Sequence, residues 1–195
     1  MQEFPQNSPD AVVQTPTAKN TLLSFLREAI ETLFLAAFLF LAIEFVSVRV
    51  RVEGFSMMPT LHDGEVVLVS KISYRFGSIQ RGDIVVFRHP LNTRQELIKR
   101  VIGLPGDKVV IENGQVILNG MVIAEPYISA PPRYNGRWEV PPGFLFVLGD
   151  NRNDSSDSHS WGLLPTENVI GKAVLVYWPP NRIRILQHPV LMPTN

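Results

Sequence analysis

The chain has 195 residues, of which 45% are hydrophobic and 18% charged, a size that suits one globular domain with or without a membrane anchor. Its 18 basic residues balance 18 acidic ones, so no overall charge attracts nucleic acid or another polyanion. The absence of Cys excludes a thiol nucleophile, a disulfide framework and a thiolate zinc site.

The chain opens with a polar segment that is followed by an apolar one. Residues 1–21 are rich in Pro, Gln, Asn, Ser and Thr without hydrophobic periodicity, so we expect a disordered tail. An uninterrupted apolar run follows at Leu33–Ile43. With its apolar flanks this run reaches the roughly 20 residues that a bilayer span needs, which predicts a transmembrane anchor over residues 22–47. A buried core helix or the apolar part of a cleaved signal peptide is the alternative.

After the apolar run the hydrophobic pattern changes to a period of two. Valines at positions 46, 48, 50 and 52 alternate with polar or charged residues, which predicts a strand. Further short apolar runs predict strands at Val66–Val69, Ile84–Phe87, Leu97–Leu104, Val109–Ile111, Val116–Leu118, Phe144–Leu148 and Ala173–Trp178. Asn113-Gly114 and Asn119-Gly120 are typical of type I′ hairpin turns. Residues 48–195 are therefore predicted to be mainly β, with twisted antiparallel sheets or a barrel.

Ser56 follows the first predicted strand and lies between two residues that interrupt strand pairing, Gly54 and Pro59. In that position its hydroxyl and its backbone N–H could face a cleft, where the N–H would stabilise an oxyanion. A turn serine that bonds to its own backbone is the ordinary alternative. The chain contains no G-x-S-x-G, S-x-x-K or H-E-x-x-H pattern that would identify a familiar hydrolase.

Lys99 is a candidate base for this serine because it follows Leu97 and Ile98 in an apolar strand. Burial disfavours the ammonium form and can lower the pKa of a lysine from about 10.4 to near neutrality. A lysine that directs its charge outward from the strand is the alternative. From local chemistry alone, the pair of Ser56 and Lys99 is plausible but not unique.

Three segments together carry a family resemblance. Ser56–Leu61 (SMMPTL), Lys99–Asp107 (KRVIGLPGD) and Gly149–Ser158 (GDNRNDSSDS) resemble, in this order, the signature boxes of type I signal peptidases. With Arg81–Phe87 between the first two boxes, the resemblance covers about residues 33–178. It implies a membrane-bound serine endopeptidase with a β-rich catalytic domain, which removes N-terminal signal peptides from exported preproteins.

The resemblance implies a Ser-Lys dyad. Ser56 would attack the scissile carbonyl to form an acyl-enzyme, and Lys99 would act as general base. Ser155 matches a serine that hydrogen-bonds the lysine amine. The wall beside the dyad would be shaped by residues of the third box, namely Gly149, Asp150 and Arg152.

Two positions depart from the usual pattern of the family. Asp157 matches an acid that is usually paired with a basic residue two places on, and here that residue is His159, so the pairing would depend on pH. Some members carry a hydroxyl residue two positions before the nucleophile, where this chain has Gly54. The N–H of Ser56 is then the expected oxyanion donor.

The family cuts after small-x-small sites such as Ala-x-Ala, so we expect shallow apolar pockets. An extended substrate would add as a strand between the segment before Ser56 and the segment before Lys99. The expected contacts are Val50, Val52, Met57, Leu61, Leu97 and Ile98, for which ordinary core packing is the alternative.

The resemblance also implies a single-pass protein of the bacterial cytoplasmic (inner) membrane or of a thylakoid-like membrane. Its N-terminus would be cytoplasmic, and residues 48–195 would lie on the export side, in the periplasm or lumen. The expected partners are preprotein signal peptides and the lipid bilayer, and association with the secretion translocon is compatible with this location. We expect no cofactor and no metal, since the acidic stretch Asp150–Asp157 lacks the glycine and terminal glutamate of an EF-hand.

Three other interpretations remain open at this point. One is another Ser-Lys β-domain peptidase, such as a self-cleaving repressor type, although that type has no anchor. A second is a serine hydrolase whose base is His62, His89 or His159. The third is an inactive, membrane-anchored binding domain that retains the fold.

Overall fold

The structure is a computed structural model that describes residues 18–191. Helix α1 spans Ala18–Val46, and the described chain divides into two units at Ile43 and Glu44. The helix begins four residues before the predicted start of the anchor, so the end of the predicted tail is helical. Residues 1–17 of that tail lie outside the described residues.

The apolar part of α1 is Ser24–Val46, which is long and apolar enough to cross a membrane. Its 23 residues extend about 35 Å at 1.5 Å per residue, against a hydrocarbon core of about 30 Å. Large side chains such as Leu33, Phe34 and Phe38 are at least 68% exposed. Within the described residues, none of the most apolar stretch is buried, which is unlike a core helix of a globular domain.

The unit that begins at Glu44 is built from antiparallel strands. Its described part contains β1 (Ser47–Arg51), β2 (Val66–Ser70), β3 (Ile84–His89), β4 (Asn92–Gly103), β5 (Lys108–Glu112), β6 (Gln115–Leu118), β7 (Met121–Val122), β8 (Gly136–Glu139), β9 (Phe144–Leu148), β10 (Leu164–Pro165), β11 (Val169–Trp178) and β12 (Arg184–Ile185). Two short helices, α2 (Ser73–Phe76) and α3 (Ser158–Trp161), lie between strands. The mainly β prediction is therefore confirmed.

The strands form two sheets. The larger has the order β1-β2-β11-β3-β4-β9-β10, with β12 paired to β11, and the smaller has the order β7-β6-β5-β8. Asn113 and Gly114, at φ 52° and 76°, turn the chain between β5 and β6, as the type I′ prediction requires. The second predicted turn, Asn119-Gly120, has the same signs of φ, at 53° and 85°.

Strand β3 shows how the sequence pattern places the core. All four residues of Ile84–Phe87 are fully buried, as expected for a strand covered on both faces. Ile84 and Val86 contribute to one apolar cluster, while Val85 and Phe87 contribute to another. Successive side chains of a strand point to opposite faces, so β3 separates two cores and holds its neighbour β4 firmly.

Two strand edges remain without a strand partner among the described residues. β1 pairs with β2 on one side only. β4 pairs with β3 from Asn92 to Arg100, and β9 joins its other side only from Arg100 onward. Residues 92–99 of β4 and residues 48–51 of β1 thus have no neighbouring strand on these sides among the described residues, and the candidate site lies between them.

Candidate active site

Ser56 lies in a tight turn that follows β1. Gly54 has φ +87°, a conformation that suits glycine, and its N–H donates to Oδ1 of Asp63 at 2.8 Å. Within the turn, the N–H of Met58 donates to the carbonyl of Phe55 at 3.0 Å. The side chain of Ser56 is thereby fixed at the end of the strand, next to the open edge.

Lys99 approaches this serine from β4. Its side chain is buried, with 2% of the residue exposed, and its Nζ lies 2.7 Å from Oγ of Ser56 and 2.9 Å from the carbonyl oxygen of Ile98. Burial lowers the pKa of Lys99 from its usual 10.5 to about 8, although the negative charges of Asp157 and Asp150 oppose this shift. The pair thus joins a hydroxyl to an amine that is substantially neutral near pH 8.

The third box lies against the turn that carries Ser56. The N–H of Asn151 donates to the carbonyl of Ser56 at 3.0 Å. Gly149 lies so close to the turn that an added Cβ would come within 2.4 Å of that same carbonyl oxygen and within 2.2 Å of Oγ of Ser155. A side chain at position 149 would therefore displace the turn that carries Ser56.

Ser155 does not form the hydrogen bond to Lys99 that was expected of it. Its Oγ is buried and has no hydrogen-bond partner within the described part of the chain. The contacts of the Lys99 amine are instead Oγ of Ser56 and the carbonyl of Ile98. Since Ser155 also lies against Gly149, beside the carbonyl of Ser56, an unsatisfied hydroxyl stands next to the dyad.

Asp150 connects the third box to β4. Its carboxylate accepts bonds from Nε and Nη2 of Arg100 at 2.8 and 2.7 Å and from the hydroxyl of Thr60 at 2.5 Å. Both members of the ion pair are almost fully buried. Because Arg100 directly follows Lys99, this bidentate pair fixes the strand that carries Lys99.

Arg152 forms a second buried ion pair behind the site. Its guanidinium donates two bonds of 2.6 Å to the carboxylate of Glu125, and its Nε donates to the carbonyl of Gly149 at 3.0 Å. The ring of Tyr127 lies between the two pairs, 4.0 Å from the guanidinium of Arg100 and 5.8 Å from that of Arg152. Cation–π contacts of this kind strengthen when they are shielded from water.

Asp157 has the expected histidine as its partner. Nδ1 of His159 lies 2.7 Å from Oδ1, and the imidazole stacks on Tyr134 with ring centroids 4.0 Å apart. The other carboxylate oxygen accepts the N–H of Gly149 at 2.8 Å. Asp157 also caps the short helix α3. Its position is therefore determined from three directions.

A cleft of about 710 Å³ lies between β1 and the free part of β4, and Ser56 and Lys99 form part of its wall. Its apolar lining residues are Val50, Leu97 and Ile98. The remaining residues are polar or charged, namely Arg49, Arg51, Glu53, Asn92, Arg94, Gln95 and Glu96. Among residues 18–191, no group of three or more His, Asp or Glu side chains is placed to hold a metal ion.

Comparison with known proteins agrees with this arrangement. The family model described as signal peptidase, peptidase S26, matches residues 26–178. The chain belongs to this family. It is accordingly a serine endopeptidase, and the family's activity is the removal of signal peptides from preproteins.

Signal peptidases of cyanobacteria are similar to this chain over most of its length. The signal peptidase I of Leptolyngbya laminosa is 42% identical over 196 residues, which cover 95% of this chain and 94% of the relative. The probable signal peptidase I-1 of Synechocystis sp. (strain ATCC 27184 / PCC 6803 / Kazusa) is 43% identical over 81% of this chain and 85% of its own length. A solved signal peptidase I from Enterococcus faecalis V583 is 32% identical and covers 49% of this chain and 96% of its own, with a TM-score of 0.46.

The six residues predicted to contact substrate divide into two groups in this signal peptidase. Val50, Leu97 and Ile98 line the cleft. The others are at most 3% exposed and lie in the core cluster behind it, namely Val52, Met57 and Leu61. The structure thus makes these three a support for the cleft wall, because the turn after β1 directs them inward to pack with Ile98.

Sequence reasoning assigned no role to several residues that hold the signal peptidase site together. Arg100 was visible in the second box, but only its partner, 50 residues later, explains why a buried cation is tolerated there. Glu125 and Tyr127 lie in a segment without a motif, and no local signal identifies them. Contacts between such distant positions become apparent only in the folded chain.

Proposed function

We propose that Ser56 is the nucleophile and Lys99 the general base with which this enzyme removes signal peptides. The distance of 2.7 Å between Oγ and Nζ carries this proposal, because it permits direct proton transfer. The pKa of about 8 supports it, because an amine can accept a proton only when it is neutral. Neither His62 nor His89 nor His159 has such a contact with Ser56 among the described residues.

In the first half of the reaction, Lys99 takes the hydroxyl proton while Oγ of Ser56 bonds to the scissile carbonyl carbon. The carbonyl electrons move to oxygen and give a tetrahedral oxyanion. When this intermediate collapses, the C–N bond breaks, and the Lys99 ammonium transfers its proton to the departing amine. The mature protein leaves with a free N-terminus, and the signal peptide remains as an ester on Ser56.

In the second half, neutral Lys99 takes a proton from water as the water attacks the ester. Collapse of the second tetrahedral intermediate breaks the bond to Oγ, and the proton returns from Lys99 to Ser56. A neutral amine has two N–H groups and one lone pair. With the lone pair directed to Ser56 and one N–H to the carbonyl of Ile98, the second N–H is available for the unpartnered Oγ of Ser155. We expect Ser155 to orient the amine in this way.

The N–H of Ser56 is the proposed oxyanion donor, since it has no hydrogen-bond partner within residues 18–191. The N–H of Gly54 is already occupied by Asp63. Loss of one oxyanion donor typically costs about 2.7–4 kcal/mol of transition-state stabilisation. The shape of the turn that presents Ser56 therefore contributes to catalysis in addition to the hydroxyl itself.

The cleft supports cleavage after small-x-small sites such as Ala-x-Ala. An extended substrate that pairs with the free edges of β1 and β4 would present alternate side chains to the same wall. Val50, Leu97 and Ile98 are the apolar residues that line the cleft beside the dyad. Small side chains at the first and third positions before the cut would fit this wall, and the intervening side chain would point away.

We further propose that α1 anchors the enzyme in a bilayer as a single span, with a cytoplasmic tail before it and a catalytic domain after it. The length and apolar character of Ser24–Val46 support the span. The N-terminus would be cytoplasmic and the catalytic domain on the export side of a cytoplasmic or thylakoid-like membrane. A chain so placed meets preproteins as they emerge, where it could associate with the secretion translocon.

Cleavage of a preprotein by the detergent-solubilised full chain tests the dyad. Ser56→Ala and Lys99→Ala should abolish cleavage, whereas the exposed controls Ser129→Ala and Lys108→Ala should retain it. A preprotein with Leu in place of Ala immediately before the cut should be processed poorly.

Near-full activity of Lys99→Ala would exclude the proposed base. Loss of activity in His159→Ala, with Lys99→Ala still active, would favour a histidine base instead. If neither wild type nor Ser56→Ala cleaves any preprotein, the chain is an inactive binding domain. Protease accessibility of the catalytic domain in sealed vesicles of known orientation tests the topology separately.

A further inference from the structure

The short helix α2 lies beside the end of the proposed anchor. Ser70, the last residue of β2, pairs with Ser47, the first residue after α1. The N–H of Lys71 then donates to the carbonyl of Val46 at 2.9 Å, and its Nζ donates to the carbonyl of Glu44 at 3.3 Å. The segment that enters α2 is thus hydrogen-bonded to the last turn of the apolar helix.

Helix α2 carries a cation, Arg75, and an exposed aromatic residue, Phe76, next to each other in the sequence. The guanidinium of Arg75 lies 5.3 Å from the ring centroid of Phe45, in the last turn of α1. Phe76 is 90% exposed, the highest value among the exposed large hydrophobic side chains of the described residues. Within residues 24–191, neither Lys71 nor Arg75 forms an ion pair with a carboxylate. The nearby carboxylate of Glu44 pairs with Arg49, and Lys71 contacts only the backbone carbonyl of Glu44.

The exposure of Phe76 is not the result of a loose segment. Tyr74, two residues before Phe76, is half-buried, and its hydroxyl donates a hydrogen bond to Oδ2 of Asp83 at 2.9 Å. The N–H and the hydroxyl of Ser73 both donate to Oγ of Ser70, at 3.3 and 2.8 Å. One side of α2 is therefore fixed to the sheet, and Phe76 is held outward.

We infer that Lys71–Phe76 is a lipid-docking surface, on which Phe76 enters the headgroup boundary and Lys71 and Arg75 bind lipid phosphates. The inference rests on the proposed membrane span of α1. If α1 crosses a bilayer, Phe45 lies near its surface, and α2 touches Phe45 directly. Aromatic rings and basic side chains are the residues that favour this interfacial layer. The bilayer that holds the anchor is thus the natural partner of this surface.

The chain contains no Cys, so single cysteines can carry a nitroxide label at chosen positions without other changes. The full chain is reconstituted in vesicles of phosphatidylcholine with phosphatidylglycerol, and the accessibility of each label to oxygen and to a water-soluble nickel chelate is compared. Phe76→Cys is the test position. Phe38→Cys, in α1, reports the span, and Met121→Cys, exposed on the smaller sheet, reports a water-facing site.

The expected order of oxygen preference over nickel is position 38, then 76, then 121. Lys71→Gln and Arg75→Gln should each lower the ratio of lipid-facing to water-facing label at position 76 about fivefold in the anionic vesicles. In vesicles of phosphatidylcholine alone these two variants should have little effect. Arg137→Gln, which removes an exposed cation from β8, is the matched control and should change nothing.

Three outcomes would overturn the inference. A label at position 76 that is as open to nickel as the one at 121, with 38 still in lipid, would leave the anchor intact but remove the docking surface. A label at 76 protected from both reagents would indicate protein contact, such as a second copy of the chain. If the label at 38 is itself open to nickel, the proposed span fails, and the docking surface fails with it.

Discussion

The buried amine of Lys99 makes a quantitative prediction about pH. With a pKa of about 8, roughly 9% of the amine is neutral at pH 7 and roughly 91% at pH 9. Only the neutral form accepts the proton of Ser56, so kcat/KM should rise about tenfold across this interval and level off above it. The assay is the initial rate of preprotein cleavage in detergent, from pH 6 to pH 10.

Substitution of Asp157 provides a way to shift the pH dependence of kcat/KM. Its negative charge raises the pKa of Lys99, so removal of the charge should lower this pKa below about 8. Asp157→Asn keeps an oxygen that can accept the N–H of Gly149, as the carboxylate does at 2.8 Å. The acid side of the profile should therefore move to lower pH. Asp154→Asn, an exposed neighbour, should leave it unchanged.

Lys99→Arg completes the test, because an arginine side chain stays protonated in proteins and cannot act as the base. Loss of general-base catalysis typically costs about 10²–10⁴ in rate, so activity should fall at least a hundredfold at every pH. An inflection near the ordinary histidine value of about 6.5 would refute the assignment of the base. A shift of the Asp157→Asn profile to higher pH would refute the electrostatic reasoning.

Three further predictions concern Gly149 and Asp150 beside the site and a histidine elsewhere in the catalytic domain, His188. Gly149→Ala should abolish most cleavage at a preprotein concentration that the wild type processes efficiently, because its Cβ would lie 2.2 Å from the buried hydroxyl of Ser155. Unchanged kinetics would show that the turn that carries Ser56 can move freely. Asp150→Ala leaves Arg100 buried without its carboxylate and should lower the free energy of unfolding in urea by about 3–5 kcal/mol. The exposed control Glu139→Ala should cost less than about 1 kcal/mol, and equal losses would contradict the role of burial. Burial lowers the pKa of His188 to about 4, so between about pH 6.5 and pH 4 the unfolded chain binds a proton there that the folded chain does not. The free energy of unfolding should therefore fall as the pH is lowered through this range. A His188→Gln variant with the same acid sensitivity would dismiss this cause.

Short strands were predictable because their residues alternate or are apolar throughout. β2, β3 and β9 lie where apolar runs predict them, and both Asn-Gly turns are present. The start of β4 was missed, since Asn92–Glu96 are exposed and polar and are held as a strand by pairing with β3. Hydrophobic pattern therefore locates buried strand segments, whereas pairing alone extends a strand into solvent.

The site divides in a similar way. The motifs around Ser56 and Lys99 predict this pair, and in the structure Nζ of Lys99 lies 2.7 Å from Oγ of Ser56. The direction of Met57 could not be read from the sequence, because a turn has no fixed period to show which side chains point inward. The partner of Arg152, a glutamate 27 residues earlier, has no motif either. Candidate catalytic residues can be recognised in the sequence by their type and motif. The ion pairs that hold their surroundings in place become apparent only in the folded chain.

The two free strand edges beside the dyad have a consequence for the range of proteins this enzyme can process. Main-chain hydrogen bonds along β1 and β4 would recognise any extended polypeptide, whatever its side chains. Discrimination then depends on the few positions that face the apolar wall. If substrates bind in the proposed way, signal sequences can diverge at the other positions, and one protease can serve a large and changing set of exported proteins.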